Sequence, residues 1–271
     1  MGPVEAVVLG LFQGVTEFLP ISSSAHLVIL PWLLGWQDPG LTFDVGLHLG
    51  TFAAVVAYFW RDWVRIIGDS LRGLFGLARL PGQTSLGWFL LLGTVPGVIV
   101  GVLFEHEAET VFRDIRLVAV MLILLGAVLL LAERLAQHVR GLQDTSLADS
   151  LLTGIAQAFA IIPGVSRSGA TISMGLFRGL ERGAAARFSF LLGTPIILGA
   201  SAKRLPSIFT GELLPDARLP FILGTLSSAV AGFATIALLL RYLQRHSTVP
   251  FVVYRVVLGL GLLGLAFWRG T

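Results

Sequence analysis

The sequence predicts an all-α polytopic membrane protein with six transmembrane helices and two re-entrant helical hairpins, set as two inverted-topology repeats. Three observations lead there. The 271 residues are 55% hydrophobic and only 13% charged, with a mean hydropathy of +0.85, where a soluble domain carries about 25% charged residues. Apolar stretches near the length of a bilayer recur along the chain. A pattern of polar interruptions repeats once, about halfway. The same composition excludes a soluble globular enzyme, a disordered chain, a coiled coil and a nucleic-acid binder, because each needs charge. Glycine is abundant, at 32 residues, as suits membrane helices whose backbones approach closely.

A helix needs about 20 apolar residues to cross the hydrocarbon core. Six stretches supply them, at 41–60, 86–104, 115–133, 185–202, 217–240 and 250–268. Two others are apolar but interrupted. Residues 4–30 contain Gln13, Glu17, Pro20, the run Ser22-Ser23-Ser24 and His26, and residues 150–176 contain Gln157, Pro163, Ser166-Arg167-Ser168 and Thr171. Irregular backbone is not tolerated against lipid, so both are expected as buried hairpins lining a wet cavity. The N-terminus has no basic n-region and does not read as a cleaved signal peptide. There is no cysteine, which excludes disulfides, thiolate metal sites and cysteine nucleophiles.

Arginine placement orients the chain. Segments 61–85, 134–149, 178–187 and 241–250 hold eleven arginines, Arg79 among them. The opposite side holds six basic residues: Arg113, Arg116, Lys203, Arg204, Arg218 and Arg269. The richer side is expected to be cytoplasmic, with both termini outside. The Lys203-Arg204 pair runs against this count.

An internal repeat fits the layout. Leu-Gly-Thr occurs at 49–51, 92–94, 192–194 and 223–225. The first and third copies are 143 residues apart, as are Pro20 and Pro163; Gln13 and Gln157 are 144 apart; the second and fourth copies are 131 apart. The chain, one membrane domain over 1–271, thus divides into halves 1–140 and 145–271, each a broken hairpin plus three spans. An odd number of spans inverts one half relative to the other. Inverted repeats with broken helices place a site near the membrane interior.

Ionisable groups in apolar segments cost about 2.5–3.5 kcal/mol each on insertion scales and are usually functional. Gln13 and Glu17 share one helix face. Ser22, Ser23, Ser24 and His26 follow on the turn and return arm. The second hairpin offers Arg167, whose fork suits phosphate oxygens, with Ser166, Ser168 and Thr171 around it. A helix starting near Ser168 would aim free N–H groups at an anion. Together the hairpins suit phosphoryl chemistry. Glu17 with Gln13 can hold a hard divalent cation, His26 can move protons, and a hydroxyl can attack. The serines can equally serve as back-bonding devices within helices. Three further polar residues are read structurally: Asp44 as a helix cap, His48 as a hydrogen-bonded interior imidazole rather than a cleft residue, and Arg255 as a side chain snorkelling to the cytoplasmic interface.

The run from Gln13 and Glu17 through Phe18-Leu19-Pro20-Ile21-Ser22-Ser23-Ser24-Ala25-His26-Leu27 resembles the first signature of the bacterial undecaprenyl-diphosphate phosphatase family of the bacitracin-resistance type. Pro163-Gly164, Ser166-Arg167-Ser168-Gly169 and Thr171 resemble its second. Ala25 stands where the family often has glycine. The resemblance spans essentially the whole chain. It implies a multi-pass enzyme of the bacterial inner membrane that converts the C55 polyprenyl diphosphate to the monophosphate carrier for cell-wall synthesis, confers bacitracin resistance, and opens its site to the outer side. It implies a divalent metal, Mg²⁺ or Ca²⁺, held by Glu17 with Gln13 in support. It further implies His26 as general acid/base, Ser23 as nucleophile or phosphate-binding hydroxyl, Arg167 as diphosphate clamp, and Ser22, Ser166, Ser168 and Thr171 as further diphosphate contacts. A metal-activated water in place of Ser23 stays open, as does a homodimer. The alternative is a polyprenyl-phosphate flippase, since inverted repeats are also transporter architecture. Phosphatases with a Ser-Arg pair and a downstream His and Asp fit poorly, because no histidine follows Arg167 until His246.

Overall fold

The computed structural model describes residues 2–36, 40–74, 85–209 and 215–270; Arg79 lies outside them. Among the described residues all regular structure is helical, apart from one isolated bridge between Arg140 and Leu180. The helices are α1 (Pro3–Phe18), α2 (Ser23–Leu34), α3 (Leu41–Tyr58), α4 (Trp60–Leu74), α5 (Ser85–Leu103), α6 (Glu105–Glu109), α7 (Ile115–Leu135), α8 (Leu147–Ala158), α9 (Arg167–Phe177), α10 (Arg182–Phe209), α11 (Pro215–Leu243) and α12 (Val249–Arg269). Among the described residues, helices α5, α7, α10, α11 and α12 are long and apolar enough to cross a membrane, and the number is six where the bent pair α3–α4 counts as one span.

The two interrupted stretches each form a pair of short helices, and local chemistry explains both breaks. Helix α1 ends at Phe18, because Pro20 cannot supply the N–H that the next turn needs. Helix α2 restarts behind Ser22, whose Oγ accepts from the Ala25 N–H at 3.4 Å. Helix α8 ends at Ala158 and runs through one 3₁₀ turn to Ile161. Helix α9 restarts behind Ser166, whose Oγ accepts from the Gly169 N–H at 3.0 Å. Ser22 and Ser166 both take a left-handed φ, of 76° and 68°, which non-glycine residues seldom adopt.

Expected cap Asp44 is not a cap: Gly40 precedes α3. Asp44 sits in the first turn and pairs with Arg113 at 3.6 Å. The connector to α8 is pinned by Asp149, which receives Arg140 and Arg178 at 2.6 Å each and the Ser146 backbone N–H at 2.9 Å. Burial alone would push the Asp149 carboxyl up, but these donors outweigh burial and hold it below the ordinary aspartate range.

The breaks are carried by close helix contacts. Helix α1 packs on α11, and α8 packs on α5. A Cβ on Gly10 would lie 2.3 Å from the Gly224 carbonyl oxygen, and one on Gly154 would lie 2.0 Å from that of Gly93. Gly10 and Gly154 are 144 residues apart, and Gly93 and Gly224 belong to the 131-spaced Leu-Gly-Thr copies. The same backbone-to-backbone contact is therefore made twice, with partners exchanged. Helix α7 packs on α12, and α3 packs on α10 and α11.

Because a backbone carbonyl cannot swing aside as a side chain can, Gly154→Val is expected to exceed the ~1–3 kcal/mol of ordinary overpacking. Gly261→Ala, where a Cβ meets nothing within 4 Å, is expected to be neutral or slightly stabilising. Thermal unfolding of the two variants in detergent checks the contrast.

Candidate active site

The two helix breaks meet. Ser22 Oγ accepts from the Gly164 N–H at 3.1 Å, and Ser168 Oγ donates to the Leu19 carbonyl at 2.9 Å. Under the junction lies Arg255, fully buried on α12. Its Nη1 donates to the Pro20 carbonyl at 3.1 Å, in the first break. Its Nη2 donates to Gly164 at 2.7 Å and Val165 at 3.2 Å, in the second break. Its Nε donates to the Leu122 carbonyl at 3.1 Å. The expected snorkelling arginine is instead the strut that joins both breaks to α7. A buried charge is tolerated here because the carbonyls freed by the two interruptions replace its water.

Glu17 is the centre of the cluster above the strut. Its Oε1 accepts from Arg167 Nη2 at 2.7 Å. Its Oε2 accepts from Gln13 Nε2 at 3.0 Å and from the Ser23 hydroxyl in a short hydrogen bond. His48 Nε2 lies 3.6 Å from the same oxygen, while its Nδ1 lies 2.7 Å from the Asp44 carbonyl. Arg167 Nη1 donates to the Gly193 carbonyl at 2.9 Å. A Cβ at 193 would come within 2.3 Å of that guanidinium, so a side chain there would shift it from this position. Arg167 Nε is buried without a protein partner.

These groups open on a cleft of about 500 Å³. Glu17, Ser23, Ser24, His48, Ser166 and Arg167 form its polar end. Val98 and Val102 of α5, Ile161, and Ile196, Ile197 and Ala200 of α10 form apolar walls. Glu105 and Lys203, joined in a short ion pair, also line it. The first turns of α2 and α9 both reach this space, so two helix N-termini add partial positive charge to the Arg167 guanidinium. A cleft with an anion-seeking end and apolar walls suits an amphiphile with an anionic head. A larger cavity, about 1200 Å³, lies at the other ends of α5 and α10 and is lined by Arg65, Arg187 and Arg241 with Asp62, Asp69 and Glu181. It holds none of the residues above.

The expected site residues thus fall into two groups. Gln13, Glu17, Ser23 and Arg167 are brought together, and Ser166 lines the same cleft. His26, Ser22, Ser168 and Thr171 are spent on the protein. The His26 ring meets the Ser22 carbonyl through Nδ1 and the Tyr254 hydroxyl through Nε2, at 2.7 Å each, and lines no part of the cleft. Thr171 Oγ1 donates to the Arg167 carbonyl at 2.7 Å and meets Ser189 Oγ at 2.6 Å. Ser22 and Ser168 join the breaks, as above. Sequence reasoning missed His48, Arg255 and Tyr254. His48 follows Asp44 by one helical turn and faces the Gln13–Glu17 stripe, but no local pattern joins residues 17 and 48.

As for a metal, Glu17 lines the cleft, and the Gln13 Oε1 beside it is buried without a protein partner. Among the described residues no group of three or more His, Cys, Asp or Glu gathers around a point. The donors present therefore fit a hard ion that keeps waters and takes substrate oxygens, not a closed protein cage.

Comparison with known proteins agrees with the geometry. The family model described as "Bacitracin resistance protein BacA" matches residues 6–261. An undecaprenyl-diphosphatase of Desulforudis audaxviator is 50% identical over 270 residues, covering 100% of both chains. One of Pelotomaculum thermopropionicum is 52% identical over 265 residues, covering 98% of this chain and 97% of the relative. One of Moorella thermoacetica is 50% identical over 269 residues, covering 99% of each.

Leaving a buried hydrogen-bond acceptor without its donor costs about 1–3 kcal/mol, and Arg255 serves several carbonyls. Arg255→Met is expected to lose at least that much stability, read as a lower midpoint of thermal unfolding. Tyr254→Phe, which removes one hydroxyl contact of His26, is expected to lose about 1 kcal/mol.

Proposed function

The chain belongs to the bacitracin resistance protein BacA family, and from that premise we propose that it is a membrane undecaprenyl-diphosphatase whose chemistry is carried by Glu17, Ser23 and Arg167. It hydrolyses undecaprenyl diphosphate to undecaprenyl phosphate and inorganic phosphate, and so returns the lipid carrier to cell-wall synthesis. Membership favours this over the flippase alternative. The single observation that carries the site assignment is the Glu17 carboxylate bonded at once to the Ser23 hydroxyl and the Arg167 guanidinium, at the polar end of a cleft with apolar walls.

In this reading the diphosphate head enters between the first turns of α2 and α9, and the isoprenoid runs along α5 and α10. Arg167, with its Nε–H free of protein partners, offers a donor to the phosphate oxygens. Glu17 accepts the Ser23 proton as Oγ attacks the terminal phosphorus. The Oγ–P bond forms, the bridging P–O bond breaks, and the lipid monophosphate leaves. Water then hydrolyses the phosphoserine. A phosphate leaving group has a second pKa near 6 and needs no strong acid, so His26 is free to serve as a positioning residue that holds the Ser22 carbonyl. A bound Mg²⁺ or Ca²⁺, seated by Glu17 with Gln13, supplies charge neutralisation for the diphosphate. Arg167 orients the head, and the apolar walls limit the access of water to it.

Residues 1–140 and 145–271 are read as two inverted repeats. The exchanged Gly10–Gly224 and Gly154–Gly93 contacts and the matching Ser22 and Ser166 caps support this. The cleft is read as opening to the outer side. In support, the arginine-rich connectors gather around the larger cavity at the other end.

Glu17→Gln and Arg167→Ala are each expected to lower phosphate release from C15 and C55 diphosphates by at least about 10³-fold, near 4 kcal/mol, in protein that still folds. Turnover within tenfold of the parent for either variant removes the site assignment. EDTA is expected to stop release, and Mg²⁺ or Ca²⁺ to restore it. Acid quenching during turnover of substrate labelled in the terminal phosphate is expected to trap label on the parent protein and none on Ser23→Ala. Absence of label on the parent would assign the attack to water.

A further inference from the structure

Helix α4 carries a surface that neither the cleft nor the fold uses. It leaves α3 after a single residue, Phe59, at an angle of 76°. At 100° per residue its side chains sort into three rows. Trp60, Val64, Ile67, Leu71 and Leu74 form an apolar row within about 80° of arc, and each is between 50 and 65% exposed. Arg61, Arg65 and Arg72 form a second row, also exposed, turned by about 120° from the first, with Arg65 at the edge of the larger cavity. The third row faces the protein. Ile66 is buried, Ser70 lies against Gly87 of α5, and Asp62 receives Arg187 of α10 at 3.0 Å.

We propose that α4 is an interfacial anchor that lies in the plane of the membrane surface, with its apolar row in the acyl boundary and its arginine row on anionic phospholipid headgroups. The proposal rests on the reading of α3 as a membrane helix and not on the phosphatase reading. Membrane helices tilt by about 20° on average, so a helix turned 76° from α3 runs close to the bilayer plane. The spacing of 4, 3, 4 and 3 residues in the apolar row is that of a helix lying in an interface. The Arg61 guanidinium stands 5.2 Å from the Trp60 ring centroid, and both residue types favour the headgroup level. The charges are sorted to match. Arginines edge the apolar row, while Asp62 is turned to α10 and Asp69 is held by Arg72 at 3.4 Å. An anionic leaflet attracts such a row.

The chain has no cysteine, so a single bimane label can be placed by Ile67→Cys in the otherwise native chain. The labelled full-length protein is reconstituted in vesicles of phosphatidylcholine and phosphatidylglycerol, with bromine on the acyl chains of one lipid or the other at equal mole fraction. Both brominated lipids are expected to quench the label, brominated phosphatidylglycerol by about twofold more. Arg61→Gln, Arg65→Gln and Arg72→Gln together are expected to equalise the two. Salt at 1 M, which shortens electrostatic reach to about 3 Å, is expected to reduce the difference in the parent, and serves if the triple variant does not fold. No quenching by either lipid, as when water or a second protein surface covers the row, overturns the proposal. Equal quenching of the parent by both lipids overturns its anionic partner. Phosphate release in the same vesicles is read separately, so loss of turnover leaves the quenching result intact.

Discussion

A helix interrupted in buried surroundings frees carbonyls and amides that need partners, and this fold is organised around meeting that demand at two interruptions together. The breaks at 19–22 and 162–166 satisfy each other. Ser22 takes an amide of the second, Ser168 gives its hydroxyl to a carbonyl of the first, and Arg255 donates to both. Neither break has a complete set of partners alone. The junction therefore fixes the first turns of α2 and α9 relative to each other, and with them Ser23 and Arg167. The polar cluster at the head of the cleft thus takes its geometry from the pairing of two backbone breaks.

The glycine contacts extend the same logic outward. Short helices such as α1 and α8 present few side chains with which to hold their place. Backbone contact at Gly10 with α11 and at Gly154 with α5 substitutes close van der Waals packing for length, as membrane interfaces do. This explains why the glycine-rich composition and the broken helices go together in one chain.

Much of this was legible in the sequence. All six apolar stretches coincide with helices, because twenty apolar residues leave little else to form. Both interruptions were readable from Pro20 and Pro163 with the serines after them. The pairing of Glu17 with Arg167 followed from charge alone: two opposite ionisable groups in apolar surroundings need each other. What escaped was non-local. Arg255 answers to carbonyls at 20, 122 and 164, and nothing in the residues around 255 announces them. His26 sits in a signature and invites a proton-transfer role, but its direction is set by Tyr254, 228 residues away. Asp44 at the head of an apolar stretch resembled a cap, yet Gly40 occupies that position and Arg113 claims the carboxylate. Local pattern identified which residues are costly to bury; the identity of the group that offsets each cost lay elsewhere in the chain.

The two hairpins correspond at an offset of 144, and their differences matter more than their likeness. Ser22 matches Ser166, with the same left-handed φ and the same cap on the third amide of the following helix. One residue on, Ser23 matches Arg167; on the other arm, Glu17 matches Ile161. A perfectly repeated chain would face two hydroxyls and two carboxylates, or two guanidiniums, across one cleft. Like charges that close disfavour each other's ionised forms, and no cation would face a carboxylate. Divergence at two positions turns a symmetric junction into a directed one, with the carboxylate and the hydroxyl on one hairpin and the cation on the other. The identical caps keep both first turns in place, so that the unlike residues meet within hydrogen-bonding distance.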